Sequence, residues 1–209
     1  MRIAPTFAHE DALRAQGRLR VAGVDEVGRG PLAGPVVAAA VVLDPARIPP
    51  GLDDSKRMTP RQRERADRAI RDSAQVGLGV ATVEEIEELN ILVATHLAMR
   101  RALTALHVPP DAALVDGRQL PRGLPMPVRG LVGGDRLSLS IAAASIVAKV
   151  WRDELMVTLA QQHPGYGWET NMGYGSKSHI AALQRLGPTP WHRRSFAPVH
   201  KLLWQEQTP

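Results

Sequence analysis

The chain has 209 residues, 44% of them hydrophobic and 22% charged, which suits a single folded domain with a sizeable core. Its net charge is +5, and only four of its 26 basic residues are lysines, which favours a nucleic-acid partner because arginine binds phosphate bidentately. No apolar run is long enough to span a membrane, and the absence of cysteine excludes disulfides and thiolate metal sites.

The N-terminal segment precedes two predicted strands. Residues 1–17 mix polar and apolar side chains and lack the apolar segment of a secretory signal, so we expect a short, loosely held segment in a cytoplasmic protein. Residues 19–25 form the first predicted strand. Residues 36–43 form the second, whose continuous Val/Ala run is typical of a well-buried strand.

Two adjacent acids, Asp25 and Glu26, end the first strand and precede a turn formed by Gly28, Arg29 and Gly30, here called the glycine turn. Acids at the end of a buried strand are costly unless a cation meets them, and glycines let a ligand approach bare backbone amides. The spacing does not fit the dinucleotide-binding or P-loop motifs. A hairpin turn with two solvated acids is the alternative. Since successive strand side chains point to opposite faces, both acids share one site only if the strand ends or bends at Glu26.

The middle of the chain continues the sheet. Thr59 and Pro60 predict the start of a charged helix that ends at residue 73. Further strands are predicted at residues 76–83, 113–115 and 128–132, and helices at residues 84–89 and 91–107. Three successive strands followed by alternating helices and strands predict a mixed five-stranded α/β sheet, antiparallel and then parallel, flanked by helices.

The last part of the chain is predicted to be helical. Residues 138–162 form the longest predicted helix, and residues 163–175 form a loop rich in glycine and aromatic side chains. Two more helices are predicted at residues 176–186 and 196–205.

Asp116 repeats the pattern of an acid at a strand end, because residues 113–115 run directly into Asp116 and Gly117. In open α/β sheets, ligands bind beyond the carboxyl ends of the strands, so the acids of two strands are expected to lie side by side. The alternative is an ordinary Asp-Gly turn.

Asp153 interrupts an apolar stripe on the long predicted helix. Its spacing from Val150 and Val157 places it on the same face as those residues. An acid on a core-facing stripe needs a metal or a cationic partner, and a salt bridge with Lys149 is the alternative to a metal. Such a pair on an exposed helix contributes only about 0.2–0.5 kcal/mol, so we favour the functional interpretation.

Four carboxylates are therefore candidates for one site: Asp25, Glu26, Asp116 and Asp153. All-oxygen ligands suit Mg²⁺ or Mn²⁺ rather than zinc. Several acids around a phosphate site are also what two-metal phosphoryl transfer requires. His179 and His192 are expected to be structural, since the acids already supply enough ligands.

Several sequence blocks, in this order, resemble the bacterial ribonuclease HII family and together extend from about residue 20 to about residue 200. They are G-V-D-E-V-G-R-G-P-L-A-G (23–34), D-S-K (54–56), V-D-G (115–117), S-I-A-A-A-S-I-V-A-K-V-W-R-D (140–153), G-Y-G-S-K-S-H (173–179) and H-R-R-S-F-A-P-V (192–199). The resemblance implies an RNase H-like fold formed by one catalytic domain, residues 1–209, in which about 163–209 are a helical C-terminal extension.

The resemblance also implies an activity and its residues. The expected enzyme hydrolyses RNA in RNA–DNA hybrids and nicks at single ribonucleotides in duplex DNA, leaving 3′-hydroxyl and 5′-phosphate ends. Two Mg²⁺ or Mn²⁺ ions would be held by the four acids named above. The glycine turn would contact the 2′-hydroxyl and phosphates, and Tyr174 would stack on the following deoxyribose.

Three further residues are candidates for contacts with substrate or metal: Lys56, Ser145 and Lys149. Asp54, Ser55 and Lys56 have an alternative role as a helix cap. The alternatives for the whole chain are a non-catalytic hybrid-binding module and another nuclease of the same fold. We expect a monomer that acts on nucleic acid in replication or repair and has no membrane partner.

Overall fold

A computed structural model of the chain describes residues 4–205. The strands of this part are β1 (Val21–Val27), β2 (Val36–Leu43), β3 (Ala74–Ala81), β4 (Ala112–Asp116) and β5 (Val128–Leu131). The helices are α1 (Ala8–Arg14), α2 (Pro60–Ser73), α3 (Val83–Leu89), α4 (Ile91–Thr104), α5 (Leu139–Gln162), α6 (Trp168–Asn171), α7 (Lys177–Leu186) and α8 (Ala197–Gln205). Short 3₁₀ turns occupy Ser55–Arg57 and Gly134–Arg136.

The strands form one mixed sheet in the order β3-β2-β1-β4-β5. The first three strands are antiparallel neighbours, whereas β4 runs parallel to β1 and β5 runs parallel to β4. The prediction of a five-stranded sheet that is antiparallel and then parallel is confirmed. As a consequence, β1, β4 and β5 have their carboxyl ends at the same edge of the sheet.

Two helical layers cover the two faces of the sheet. Helix α4 packs on one face, where Met99 and Leu103 meet Val24 and Ala38. Helices α2 and α5 cover the other face, where Ala39 of β2 lies among side chains of α5. The period-two alternation of β1 therefore directs neighbouring residues toward different helices, which decides where the acids at its end point.

Capping residues define several of the helix starts. Thr59 accepts a hydrogen bond from the amide of Gln62, and the Gln62 side chain accepts from the Thr59 amide, which is a complete capping box. Ser138 and Ser176 cap α5 and α7 through their side chains. None of the helices in residues 4–205 is both long and apolar enough to cross a membrane.

The expectation of a loosely held N-terminal segment is wrong for residues 4–17. Helix α1 buries Glu10 completely, and its Oε1 accepts hydrogen bonds from Ser138 Oγ at 2.6 Å and the Ser140 amide at 2.9 Å. The first amides of a helix have no acceptor within the helix, and a carboxylate suits its positive end. The start of α5 therefore anchors α1. Residues 1–3 lie outside the described part.

The chain after α5 forms α6, α7 and α8. The predicted helices near residues 176–186 and 196–205 are confirmed, and α6 adds one turn inside the expected loop. Their apolar side chains, among them Trp168, Leu183 and Val199, pack against Met156 and Leu159 near the end of α5. This packing brings the segment that contains Tyr174 against the loop after β1, since the Leu32 amide donates to the Gly173 carbonyl at 2.8 Å.

Candidate active site

Three carboxylates meet where β1, β4 and β5 end. They belong to Asp25 in β1, Asp116 at the end of β4 and Asp135 in the 3₁₀ turn after β5, and we call them the acid group. One oxygen from each lies within 4.8 Å of the others. Asp25 and Asp135 are buried, with 6% and 4% of their surface exposed. The shared edge of the parallel strands is what brings together acids that are far apart in sequence.

Burial and neighbouring acids make the charged forms of Asp25 and Asp135 unfavourable. Burial, followed by the charges of Glu26 and Asp116, raises the pKa of Asp25 well above its usual value. Burial, followed by the charges of Asp54 and Asp116, also raises the pKa of Asp135. Backbone amides hold two of the carboxylates in place: that of Glu26 donates to Asp25 at 2.8 Å, and that of Gly134 donates to Asp116 at 2.7 Å. This oxygen-only donor set fits a hard divalent cation.

Lys56 is the lysine that lies beside the acid group. Its Nζ is 3.8 Å from Asp135 Oδ2, and 79% of its side chain is exposed. Burial lowers the pKa of Lys56, but the charges of nearby acids, led by Asp25 and Asp135, outweigh that effect and raise it. Asp54 also caps the 3₁₀ turn by accepting from the Lys56 amide at 2.9 Å, so the capping role and the position beside the acids occur together.

Ser145 supports the same turn from α5. Its hydroxyl donates to Ser55 Oγ at 2.7 Å, and both residues are buried. The hydrogen bond joins the middle of α5 to the turn that carries Lys56. Ser145 is therefore linked to the acid group through Ser55 and the turn that carries Lys56.

The bend expected at Glu26 is absent. Strand β1 keeps its pairing with β2 through Val27, with Asp25 opposite Ala39 and Glu26 opposite Ala38. Glu26 thus lies on the α4 side of the sheet, and its Oε1 is 3.4 Å from Arg29 Nη1. Burial raises the pKa of Glu26 and Arg29 partly offsets this, while the charge of Asp116 adds to the increase. Glu26 adjoins the acid group from the opposite side of the strand end.

Asp153 is not part of the acid group. Its carboxylate accepts from Lys149 Nζ at 2.6 Å and lies 3.7 Å from Arg63 Nη2. Asp153 therefore forms the salt bridge with Lys149 that was the alternative to a metal site. Arg63 comes from α2, and a helical pattern in α5 alone gives no sign of it.

The acid that sequence reasoning missed is Asp135. The signal for it was present, because the predicted strand 128–132 runs into Gly133, Gly134 and Asp135 in the same way that the two earlier strands run into Asp25 and Asp116. Asp153 was chosen because it interrupts an apolar stripe, whereas Asp135 follows two glycines, as an ordinary turn residue does.

The glycine turn lies beside Tyr174. A methyl group placed on Gly30 would be 3.5 Å from Tyr174 Cε1, and the tyrosine side chain is 49% exposed. Arg29 and Gly30 are exposed as well. The structure therefore brings together the turn and the tyrosine, which are more than 140 residues apart in the sequence, on one accessible surface next to the end of β1.

A buried histidine pair holds the Tyr174 segment. His179 Nδ1 is 2.8 Å from the Tyr174 carbonyl oxygen, and its Nε2 is 3.1 Å from His192 Nε2. Trp168 Nε1 donates to His179 Nε2 at 3.0 Å. Burial lowers the pKa of both histidines, that of His192 to about 3, so both are neutral near pH 7. Their contacts are structural, as expected, and they end at the backbone of Tyr174.

A mixed sheet of five strands with clustered carboxylates at the ends of its parallel strands defines a metal-dependent nuclease of the RNase H type. The family model described as Ribonuclease HII matches residues 22–206. The chain belongs to the ribonuclease HII family. It is accordingly an endoribonuclease that acts on RNA–DNA hybrids and depends on divalent metal.

Individual relatives agree with the family. The ribonuclease HII of Ruegeria pomeroyi is 62% identical over 202 residues, which are 97% of this chain and 86% of the relative. That of Paracoccus denitrificans is 57% identical over 204 residues, covering 98% and 97%. The crystal structure of ribonuclease H2 from Pyrococcus horikoshii has a TM-score of 0.78 at 27% identity and covers 91% of this chain and 100% of that one. A Bst-RNase HIII in complex with Mn²⁺, 21% identical, shares the fold with a TM-score of 0.70, over 89% of this chain and 70% of that one.

Proposed function

We propose that this enzyme also nicks duplex DNA at single embedded ribonucleotides, leaving 3′-hydroxyl and 5′-phosphate ends. The observation that carries the proposal is that Asp25 of the acid group comes just before the glycine turn in the chain, and that this turn lies beside Tyr174. A site that both cleaves and reads one sugar needs its metal ligands and its sugar contacts within one nucleotide of each other.

The proposed metal ligands are Asp25, Asp116 and Asp135, with Glu26 adding a fourth carboxylate from the other side of the strand end. Asp135 replaces Asp153 in this set, because Asp153 is already paired with Lys149 and Arg63. Three carboxylate oxygens within 4.8 Å of one another, two of them on buried side chains, support a site for two divalent ions, Mg²⁺ or Mn²⁺. When bound, such ions lower the pKa of a water and stabilise charge on the phosphate and the leaving oxygen.

The remaining residues bind and orient the substrate. The amides and side chain of the glycine turn contact the 2′-hydroxyl and the phosphate beside it, which is how a protein distinguishes RNA from DNA at one site. Tyr174 stacks on the sugar of the next nucleotide, as its exposed ring beside Gly30 permits. Lys56 stays protonated and meets a backbone phosphate near the acid group. Lys149 neutralises Asp153, so that this acid does not repel the duplex.

We propose that residues 1–209 act as one catalytic domain, to which the extension 163–209 contributes the tyrosine. The shared packing of α5 with α6, α7 and α8 supports this arrangement. Phosphate contacts through arginine carry little sequence preference, so binding should weaken steeply as the salt concentration rises.

The test uses three duplexes of the same sequence: a DNA duplex with one ribonucleotide, an RNA–DNA hybrid and an all-DNA control. Each is incubated with the enzyme and Mg²⁺, Mn²⁺ or EDTA. We expect one nick beside the ribonucleotide, fragmentation of the hybrid, an intact control and no reaction in EDTA. Cleavage of the hybrid without a nick at the single ribonucleotide would reject the proposal. Binding without product would favour a binding module, and cutting of the control would favour another nuclease of this fold.

A further inference from the structure

Two fully buried arginines lie beneath the loop that begins with the glycine turn. Arg152 belongs to α5, and Arg193 precedes α8; the exposed fraction of each is 0%. Burying a guanidinium is costly, and such residues are normally paired with an acid. In the described part of the chain, every hydrogen bond that these two side chains donate goes to a backbone carbonyl.

Arg193 binds the carbonyls of the turn itself. Its Nη2 donates to the Gly28 oxygen at 2.6 Å and its Nη1 donates to the Arg29 oxygen at 3.0 Å. Its Nε and Nη2 both donate to the Gly34 oxygen, at 2.9 and 2.7 Å. One planar fork therefore holds both ends of the loop, residues 28–34, in a fixed relation.

Arg152 binds the same loop from α5 and connects it to the tyrosine segment. Its Nε donates to the Pro35 oxygen at 3.1 Å, and its Nη2 donates to the Ala33 oxygen at 3.0 Å. Its Nη1 donates to the Met172 oxygen at 2.9 Å, two residues before Tyr174. The two arginines thus set the relative position of the loop and the segment that carries Tyr174.

These bonds decide where the amides of the turn point. In a planar trans peptide, the carbonyl and the following N–H point in opposite directions. Because Arg193 holds the Gly28 and Arg29 carbonyls inward, the N–H groups of Arg29 and Gly30 point outward. Within residues 4–205, neither of these two amides donates to an acceptor, and both residues are exposed. An outward pair of free donors is a binding site for phosphate or hydroxyl oxygens.

The positive charges of the two buried arginines also favour an anion at the outer surface of the turn. Burial lowers the pKa of Arg152 to about 10 and that of Arg193 to about 9, so both remain protonated near pH 7. Two cations behind a row of amides make the outer surface of the turn more attractive to anions. Apolar side chains of similar volume would fill the space without this field.

We propose that Arg152 and Arg193 are positioning residues that present the amides of Arg29 and Gly30 to the 2′-hydroxyl and phosphate of the ribonucleotide. The inference rests on the proposed nicking at single ribonucleotides. It adds to that function two side chains that set the geometry of the turn's backbone from beneath the loop, without touching the substrate.

The test is Arg193→Lys, which keeps the charge but replaces the planar fork of three nitrogens with a single nitrogen. The matched control is Arg194→Lys, at the neighbouring exposed arginine. Both are assayed with Mn²⁺ on the single-ribonucleotide duplex. Binding of the all-DNA duplex and the Mn²⁺ midpoint for thermal stabilisation are measured as well. The preference for the ribonucleotide is the cleavage of the single-ribonucleotide duplex relative to the binding of all-DNA. For Arg193→Lys we expect this preference to fall on the order of 10²-fold. Affinity for all-DNA and the Mn²⁺ midpoint should be unchanged, and Arg194→Lys should match the wild type.

A merely structural role predicts a different result. Loss of stability would weaken metal binding and all-DNA binding together and leave the preference for the ribonucleotide unchanged, and that outcome would overturn the proposal. Since Arg193→Lys can fail to fold, hydrogen exchange of the wild-type enzyme in EDTA supplies a second measurement. The ribonucleotide duplex should slow exchange of the Arg29 and Gly30 amides more than all-DNA does, and equal exchange rates would refute the idea. If the wild-type enzyme does not nick at all, the proposed function fails instead.

Discussion

Substitution by alanine should affect the two glycines of the glycine turn differently: Gly28→Ala should lose stability, whereas Gly30→Ala should lose cleavage activity. Gly28 has φ +94°, and a methyl group there would lie 2.4 Å from Arg152 Nε and 2.8 Å from the Pro35 oxygen. The backbone at Gly30 is outside the left-handed region, and its methyl group would meet only Tyr174 at an ordinary 3.5 Å. The fold itself therefore requires glycine at position 28, whereas it leaves open space beside Gly30.

The magnitudes follow from those contacts. In Gly28→Ala, the left-handed backbone costs about 1–2 kcal/mol, and displacing the charged hydrogen bond from Arg152 to Pro35 costs a further 1.5–3 or so. Together these give an expected loss of about 2.5–5 kcal/mol in the free energy of unfolding. For Gly30→Ala, reduced freedom of the unfolded chain gives a change within about 1 kcal/mol, in either direction.

Urea denaturation of the two variants measures the free energies of unfolding, and cleavage of the single-ribonucleotide duplex measures function. Gly30→Ala should be nearly as stable as the wild type but should lose on the order of 10²-fold in cleavage rate, because its methyl group displaces the sugar. Equal stability of the two variants would refute the packing argument at Gly28. Full activity of Gly30→Ala would refute close approach of the substrate at Gly30.

Three other predictions test the electrostatics and the tyrosine. Asp25→Asn should abolish cleavage but raise the midpoint of urea denaturation in EDTA. Burial and neighbouring carboxylates raise the pKa of Asp25, so its charge is unfavourable in the folded protein. A lower midpoint would contradict this. His192 has a folded pKa of about 3, below its unfolded value near 6.5, so its contribution to stability is present above pH 6.5 and is lost as the pH falls toward 3. The loss in the free energy of unfolding approaches about 1.4 kcal/mol per pH unit. Urea titrations of the wild type and His192→Gln between pH 6.5 and 5 should therefore show that stability depends less steeply on pH in the variant. Tyr174→Ala should change stability by no more than about 0.5 kcal/mol, yet reduce cleavage at single ribonucleotides more than cleavage of long hybrids; equal losses on both substrates would exclude stacking on the junction.

Local sequence patterns predicted the strands and helices, because neighbouring residues largely determine where these elements begin and end. The Val/Ala run of β2 matches the observed Val36–Leu43, and Thr59 with Pro60 marks the observed start of α2. Asp116 was found because the carboxyl ends of parallel strands share an edge, a rule that needs only the strand order. The same rule applies to Asp135, and following it through the last strand would have identified that acid.

The errors concern contacts between distant parts of the chain. Arg63 comes from α2 to pair with Asp153, and Glu10 comes from α1 to cap α5, and neither partner is visible in the pattern of α5 itself. Glu26 was expected to turn toward Asp25, but its pairing with Ala38 continues the strand and keeps it on the α4 side. Such outcomes depend on register and on packing between elements, which a periodic pattern does not specify.

The most direct test of the acid group compares Asp135→Asn with Asp153→Asn. Both substitutions remove one negative charge with little change in shape, and thermal stability is measured with and without Mn²⁺ alongside cleavage of an RNA–DNA hybrid. Saturating metal at 100 times its dissociation constant stabilises a folded protein by about 2.7 kcal/mol. We predict that Asp135→Asn loses most of this stabilisation and the activity, while Asp153→Asn keeps both. Loss of metal stabilisation and activity in Asp153→Asn, with Asp135→Asn unaffected, would contradict the assignment.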